Sequence, residues 1–427
     1  MIARDRGRQV LVCAPNWRQF GHLALEVLQA YADARETGLP VYIVRRREAV
    51  NVALFEIEPT AGVIVLRPGF IGRARLHLAL RCADFTTEFQ MRRHRFAEQF
   101  RTELRTELEE WRDTPGLSRP VVDRVKDVRD SLKTPFSFEL PRQRANERPH
   151  YYRRRLLRQP VPVRLSARAH EEAVRQAESI GLGEEMRIVS VHAREPGYKF
   201  GRETHDAKPD HARDDSTRNV RIESYFAAID DLVDRGFTVV RIGDSTMTPV
   251  KRRGVIDLAT MPERTPLLEI YCLMRSHLLV GSDSGPSAVA YLTNTPLVSL
   301  NCTDPIAAYP IRANALYTLK RVTDRHTGRA LTLGEMLQFE YATNNRDPRR
   351  YRYYDNTPEE VVAAVREMLE MLDGRAELSG AQRDYHQRAL AAATELRPLS
   401  NYIAKWGADD GFLGDGRISR DFVQRYL

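Results

Sequence analysis

The first apolar run of the chain, Gln9-Val-Leu-Val-Cys-Ala14, is continuous rather than alternating, the pattern of a strand buried on both faces. Pro15-Asn16 breaks it, and a helical spacing of apolar residues follows from about Gly21 to Ala34. Val41-Tyr-Ile-Val44 and Gly62-Val-Ile-Val-Leu66, both rich in β-branched residues and bounded by Gly or Pro, read as two further buried strands. From about Thr86 to Arg158 the pattern turns to charged helices, Glu103 to Trp111 being the clearest, so the first domain is expected to become irregular after its third strand.

Tyr151 to Pro162 mixes charge and proline without a clean period and reads as an inter-domain linker. A helix is expected from Ala167 to Ile180, closed by Gly181. The alternation then restarts, with strands at Met186–Val191, Thr238–Ile242, His277–Val280 and Pro296–Leu300. Helices at Ile222–Arg235, Leu267–Met274 and Pro286–Leu292 lie between them. Short crossovers between such strands predict a doubly wound parallel sheet. Thr357, Pro358 and Glu360 occupy the N-cap, first and third positions of a helix running to Leu372 and ending near Gly374. The remaining tail, with one more helix around Ala381 to Leu396, is long enough to cross back over the first domain. The expected organisation is therefore residues 1–160, 161–375 and a helical tail, 376–427.

Composition bounds the rest of the picture. At 427 residues, 42% hydrophobic and 29% charged, the chain suits two globular domains rather than one. It has no 18-residue apolar stretch, and its charged start has no apolar segment behind it, so a cytoplasmic protein is expected. Cys13, Cys82, Cys272 and Cys302 are scattered singly, without metal or redox spacing. The net charge of +8 gathers in arginine clusters such as Arg153 to Arg155 and Arg252-Arg253. Such clusters suit phosphate-bearing ligands or a peripheral contact with an anionic membrane surface.

Three predicted strands deliver chemistry at their carboxyl ends, where doubly wound sheets bind ligands. After Leu278-Leu-Val280 comes Gly281-Ser-Asp-Ser-Gly-Pro286, a small-residue turn opening a helix, where Asp283, Ser284, Gly285, Pro286 and Ser287 could seat a phosphate. A plain capped turn explains the same spacing. After Val189-Ser-Val191 come His192, Arg194 and, further on, Tyr198 and Lys199, cations suited to a leaving diphosphate or to an ordinary surface loop. Val239-Val240 leads to Arg241 and Asp244.

His192-Ala-Arg-Glu-Pro-Gly-Tyr198, Arg218-Asn219, Tyr225, Arg241-Ile-Gly-Asp244, Val255-Ile-Asp257, Glu269-Ile-Tyr-Cys272 and Gly281-Ser-Asp-Ser-Gly285 together resemble a bacterial family of glycosyltransferases from surface-polysaccharide loci. Gly21-His-Leu-Ala-Leu-Glu26 extends the resemblance to the first domain. Asp283 to Pro286, with Ala288, Ala290 and Thr295-Pro296, is similar to the donor-side motif of ADP-heptose transferases. His192-x-Arg194 resembles the diphosphate-gripping motif of fucosyltransferases. The resemblance implies an α/β GT-B fold: two Rossmann-like domains facing a cleft, the nucleotide-sugar in the C-terminal one and the acceptor facing the N-terminal one. Heptosyltransferases place an aspartate after the first glycine, where this chain has Gly21-His22. That leaves His22 as candidate general base, with Glu26 one helical turn on as the reserve and helix capping as the alternative for either.

No D-x-D triplet is present, so a metal-independent reaction with no cofactor is expected, the cations being Arg194 and Lys199. The loop His205 to Asp215 gathers two His and four Asp and reads as a solvated lid more readily than as a metal site. The expected activity is inverting transfer of a sugar to a glycan or lipid-linked acceptor. A nucleotide-sugar epimerase of the same fold and a non-catalytic nucleic-acid-binding protein are the rivals. The latter is disfavoured by the lack of aromatic residues among the arginine clusters.

Overall fold

A computed structural model of the chain describes residues 2–5, 8–13, 15, 19–45, 49–67, 154–196, 215–396 and 413–427. The charged helices expected in the 86–158 region fall outside the described residues except for 154–157. The chain divides into two compact units, Met1–Pro149 and His150–Leu427.

In the first unit β1 (Ile2–Asp5) pairs antiparallel with β2 (Arg8–Cys13), a pairing the polar start of the sequence does not announce. α1 (Phe20–Thr37) follows, then β3 (Val41–Ile43), β4 (Ile57–Pro59) and β5 (Val65–Leu66). β2, β3 and β5 lie parallel, giving a four-stranded sheet in the order β1-β2-β3-β5. Leu23, Val27, Leu28, Tyr31 and Ala34 recur at helical spacing along α1, and all are buried. Gly38, at φ 67°, ends the helix in the left-handed region that glycine enters without cost.

The second unit opens with α2 (Arg154–Leu157), β6 (Val163–Leu165) and α3 (Ala167–Ser179). Then come β7 (Ile188–His192), α4 (Phe226–Asp234), β8 (Thr238–Arg241), β9 (Val255–Ile256), α5 (Pro266–Arg275), β10 (Leu279–Ser282), α6 (Gly285–Thr293), β11 (Leu297–Cys302) and β12 (Ala315–Leu319). β13 (Arg321–Asp324), α7 (Leu333–Met336), α8 (Phe339–Asn344) and β14 (Tyr351–Tyr354) form an interposed segment. α9 (Pro358–Leu372), α10 (Gly380–Leu396), β15 (Arg417–Ile418) and α11 (Arg420–Tyr426) complete the unit.

Seven strands form one parallel sheet in the order β15-β12-β11-β10-β7-β8-β9. On one face Val189, Val191, Val239, Val280, Val298 and Leu316 pack against Ala228, Ile229 and Leu232 of α4 and Val361, Val365 and Met368 of α9. α3 packs on α5, presenting only Ala169, Ala173 and Ala177 as its buried stripe, so the two backbones approach closely. The helix ends follow from local chemistry. Gly181 N donates to Glu178 O at 2.9 Å and Leu182 N to Ala177 O at 2.9 Å, a paired closure that needs the φ of 76° at Gly181. Thr357 Oγ1 accepts from Glu360 N while the Glu360 side chain accepts from Thr357 N, a capping box.

The stretch expected to be a linker is stitched into the second unit. Arg312 Nε donates to Leu157 O at 2.9 Å, Asn294 Nδ2 to Val161 O at 2.8 Å, and Arg158 pairs with Asp415 at 3.3 Å. The expected tail likewise belongs to this unit. β15 extends its sheet beside β12, and Tyr385, Ala389, Leu396 and Phe422 join the core around Tyr317 and Leu319.

Candidate functional site

The strand order dictates where a ligand would sit. From β7 the chain steps outward through β8 and β9, then returns to the far side of β7 for β10 and steps outward again through β11 and β12. The connections leaving β7 and β10 therefore diverge, opening a crevice at the carboxyl ends of these two strands. Both sequence segments singled out for phosphate chemistry, His192 to Arg194 and Gly281 to Ser287, begin there. They are tied together by Arg194 N, which donates to Ser282 Oγ at 3.0 Å.

Arg194 leaves β7 half-buried, and its guanidinium hydrogen-bonds the Asn219 side-chain oxygen. The same Asn219 offers its backbone oxygen to Lys320 Nζ at 2.7 Å, and Lys320 also pairs with Asp355 at 2.7 Å. Burial lowers the Lys320 ammonium from its ordinary range, Asp355 opposes that shift, and the nearby positive charge of Arg194 reinforces it. One asparagine thus holds cations from two strand ends side by side. Lys320 escaped the sequence reading, although the apolar run Ala315 to Leu319 before it carries a strand signal.

Across the crevice, Ser284 caps α6 in extended conformation without a side-chain cap bond, so the helix start keeps its positive end facing the strand ends. Ser284 and Ser287 instead donate to Ser282 O, at 3.3 and 3.0 Å. Gly285 is the first helical residue and Pro286 the second, one place later than expected, still among positions whose amide has no intrahelical acceptor. Asp283 receives Arg346 Nη2 at 3.1 Å and lies 3.7 Å from Arg218. Arg346 is itself buried, also donates to Thr303 Oγ1 at 2.9 Å, and sits at φ 69°. A non-glycine residue at such a φ costs about 1–3 kcal/mol, the kind of strain that clusters at binding sites. Neither the Arg346 side chain nor its backbone is legible from local sequence.

The strand end after β8 is built differently. Arg241 is 1% exposed and pairs with Glu195 at 2.7 Å and Asp257 at 2.9 Å, so its guanidinium braces three loops from inside instead of facing a ligand. Glu195 also takes Thr248 N at 2.8 Å, and Asp257 takes Val250 N at 2.8 Å. Asp244 closes a tight turn through Thr246 N at 3.0 Å. Gly243 N donates to the buried Glu269 at 3.1 Å, and Gly243 sits at φ 155°, a conformation that residues with a side chain rarely adopt. His192 lies between these two regions. Its Nδ1 is 3.1 Å from Ile242 O, which can only accept, so Nδ1 carries the hydrogen. Burial, with the charges of Arg241 and Arg194, pulls its pKa down to about 4, leaving a neutral ring at pH 7.

In the first unit, Gly21 and His22 lie in the opening turn of α1, His22 exposed and Gly21 half-buried. Glu26 is half-buried one turn on, and its carbonyl accepts from Cys13 Sγ at 3.5 Å. Tyr198, Lys199 and nearly all of the 205–215 loop lie outside the described residues. Among the described residues, no group of three or more His, Cys, Asp or Glu is arranged to hold a metal ion, and no helix is long and apolar enough to cross a membrane.

Two solved structures are similar to this chain. One is the ADP-heptose LPS heptosyltransferase II of E. coli, 14% identical, with a TM-score of 0.40 over 85% of this chain and 99% of that one. The other is a glycosyl transferase family 9 structure from Veillonella parvula DSM 2008, also 14% identical, with a TM-score of 0.34 over 73% of this chain and 86% of that one. No family profile and no curated protein matches the sequence.

Proposed function

We propose that the chain transfers a sugar from a nucleotide-diphosphate donor to a glycan or lipid-linked acceptor, in a GT-B arrangement whose second unit binds the donor. The observation that carries this reading is the joint placement of Arg194 and Lys320 on Asn219 at the switch point, beside the start of α6. Two cations and a helix N-terminus converge where a diphosphate would leave.

In this reaction the acceptor hydroxyl gives its proton to a base and its oxygen forms the new bond to the sugar's anomeric carbon. The bond from that carbon to the phosphate oxygen breaks, and the electron pair leaves with the diphosphate. Arg194 and Lys320 neutralise the departing charge, and Lys199 and Tyr198 are assigned to the same diphosphate, so that no divalent cation is required. Arg241 and Asp244 shape the neighbouring strand end. The neutral His192 offers Nε2 as an acceptor for a donor hydroxyl. His22 is the base, with Glu26 in reserve, and direct displacement inverts the anomeric centre.

Thermal unfolding measured against GDP, UDP, ADP, CMP and dTDP tests the donor assignment, since a ligand of the folded state raises apparent stability. One nucleoside diphosphate is expected to stabilise the wild type and to lose that effect in Arg194→Ala, whose turnover falls by about 10²–10³-fold. Wild-type turnover and nucleotide response in that variant would overturn the assignment.

A further inference from the structure

The segment between β12 and α9 carries a second surface with its own chemistry. Its hairpin pairs Arg321 with Tyr354 and Thr323 with Arg352, and these four form the outer face, while Val322 and Tyr351 turn into the core. The Arg321 guanidinium stands 5.8 Å from the centre of the Tyr354 ring. Arg352 and Thr323, together with the charge of Arg325, hold the Tyr354 phenol's pKa below the ordinary range. Tyr354 is 38% exposed, and Arg325 and Arg352 are exposed beside it.

The surrounding arginines are neutralised locally. Arg329 pairs with Glu335, Arg349 with Asp347 at 2.8 Å, and Arg350 with Glu340 at 2.5 Å. Arg321, Arg325 and Arg352 form no ion pair among the described residues. The segment's unpaired cations thus lie on one hairpin face four residues long, roughly 13 Å, and on Arg325 just past its end.

We propose that this face binds an acidic saccharide, the carboxylate-bearing sugar units of the acceptor glycan. Guanidinium forks match carboxylates bidentately, and an exposed tyrosine ring supplies a flat apolar surface for the C–H face of a sugar. A membrane surface or an RNA backbone calls for charge that continues beyond one hairpin, and here the neighbouring arginines are already paired. The proposal rests on the sugar-transfer reading for its choice of ligand. The hairpin is rooted at Lys320 and Asp355, so the face begins at the strand end that supplies the proposed diphosphate seat.

Isothermal titration of the full chain with a galacturonic acid tetramer, with maltotetraose as the uncharged control, tests it. The acidic tetramer is expected to bind saturably and more weakly as salt rises, and the neutral one not to bind. Arg321→Gln combined with Arg352→Gln is expected to weaken binding by about tenfold or more, with an unchanged thermal midpoint and an unchanged response to nucleoside diphosphates. Equal binding of both tetramers, no binding of either, or wild-type affinity in the double variant overturns the proposal. So does preferential binding of phosphatidylglycerol vesicles or polyuridylate through the same two arginines. Binding of the acidic tetramer by a wild type that no nucleoside diphosphate stabilises would sink the sugar-transfer reading and leave this site standing.

Discussion

Arg194 and Arg241 leave neighbouring parallel strands at the same edge of one sheet, and in sequence each is a cation at the end of an apolar run. In the folded chain they have opposite fates. Arg241 is sealed at 1% exposure between the Glu195 and Asp257 carboxylates, whereas Arg194 stays half-buried against the amide of Asn219, next to Lys320 and the start of α6. The difference lies in what faces each strand end. β8 ends among carboxylates delivered by the loops after β7 and β9, and β7 ends at the switch point, beside β10. A guanidinium closed by two carboxylates holds loops together, and one at a crevice can meet an incoming anion.

The sharpest way to break the comparison is to remove the buried member. Arg241→Ala strands two carboxylates that are 14% and 10% exposed, and is expected to cost about 3–5 kcal/mol in chemical denaturation. A loss under 1 kcal/mol would make Arg241 dispensable as a brace. His192 sits within reach of both arginines, and its folded pKa of about 4 lies below the ordinary value of 6.5. The unfolded chain therefore binds more protons between these values, so the stability this group contributes is complete above pH 6.5 and is lost as pH falls toward 4, by about 3 kcal/mol in all. His192→Gln should flatten that part of the stability profile, and an unchanged slope would mean that the ring titrates alike in the folded and unfolded chain. The smallest change converts one environment toward the other. Asn219→Asp puts a carboxylate on Arg194, and is expected to weaken nucleoside diphosphate binding by about tenfold with little change in unfolding midpoint. Unaltered affinity would detach Arg194 from the anion site.

Much of the second unit was legible because its signals are local. Continuous apolar runs became β7, β8, β10 and β11, Thr357 to Glu360 formed its capping box, and Gly181 closed α3. The two-residue strands β9 and β15 are too short for any period to reveal, β1 is polar enough to read as coil, and the buried strand expected at Gly62–Leu66 forms only as β5, with Ile64 65% exposed beside it. Arg194, Ser284 and Asp283 stand out in the sequence because they closely follow strands. Lys320 and Arg346 do not stand out in the sequence because their relevance comes from partners 101 and 63 residues away. Arg241 was misjudged for a related reason: a strand-end cation announces its charge, and its direction depends on carboxylates 46 residues earlier and 16 later.

The ion pair between Lys320 and Asp355 has a further consequence for how such a chain can diversify. Residues 321–354 leave and rejoin the body of the unit at one point, with Arg321 directly opposite Tyr354. Lengthening, trimming or exchanging that segment would alter no crossover and re-thread no strand. A lineage could therefore refashion its outer Arg–Tyr face while inheriting the seven-stranded platform unchanged.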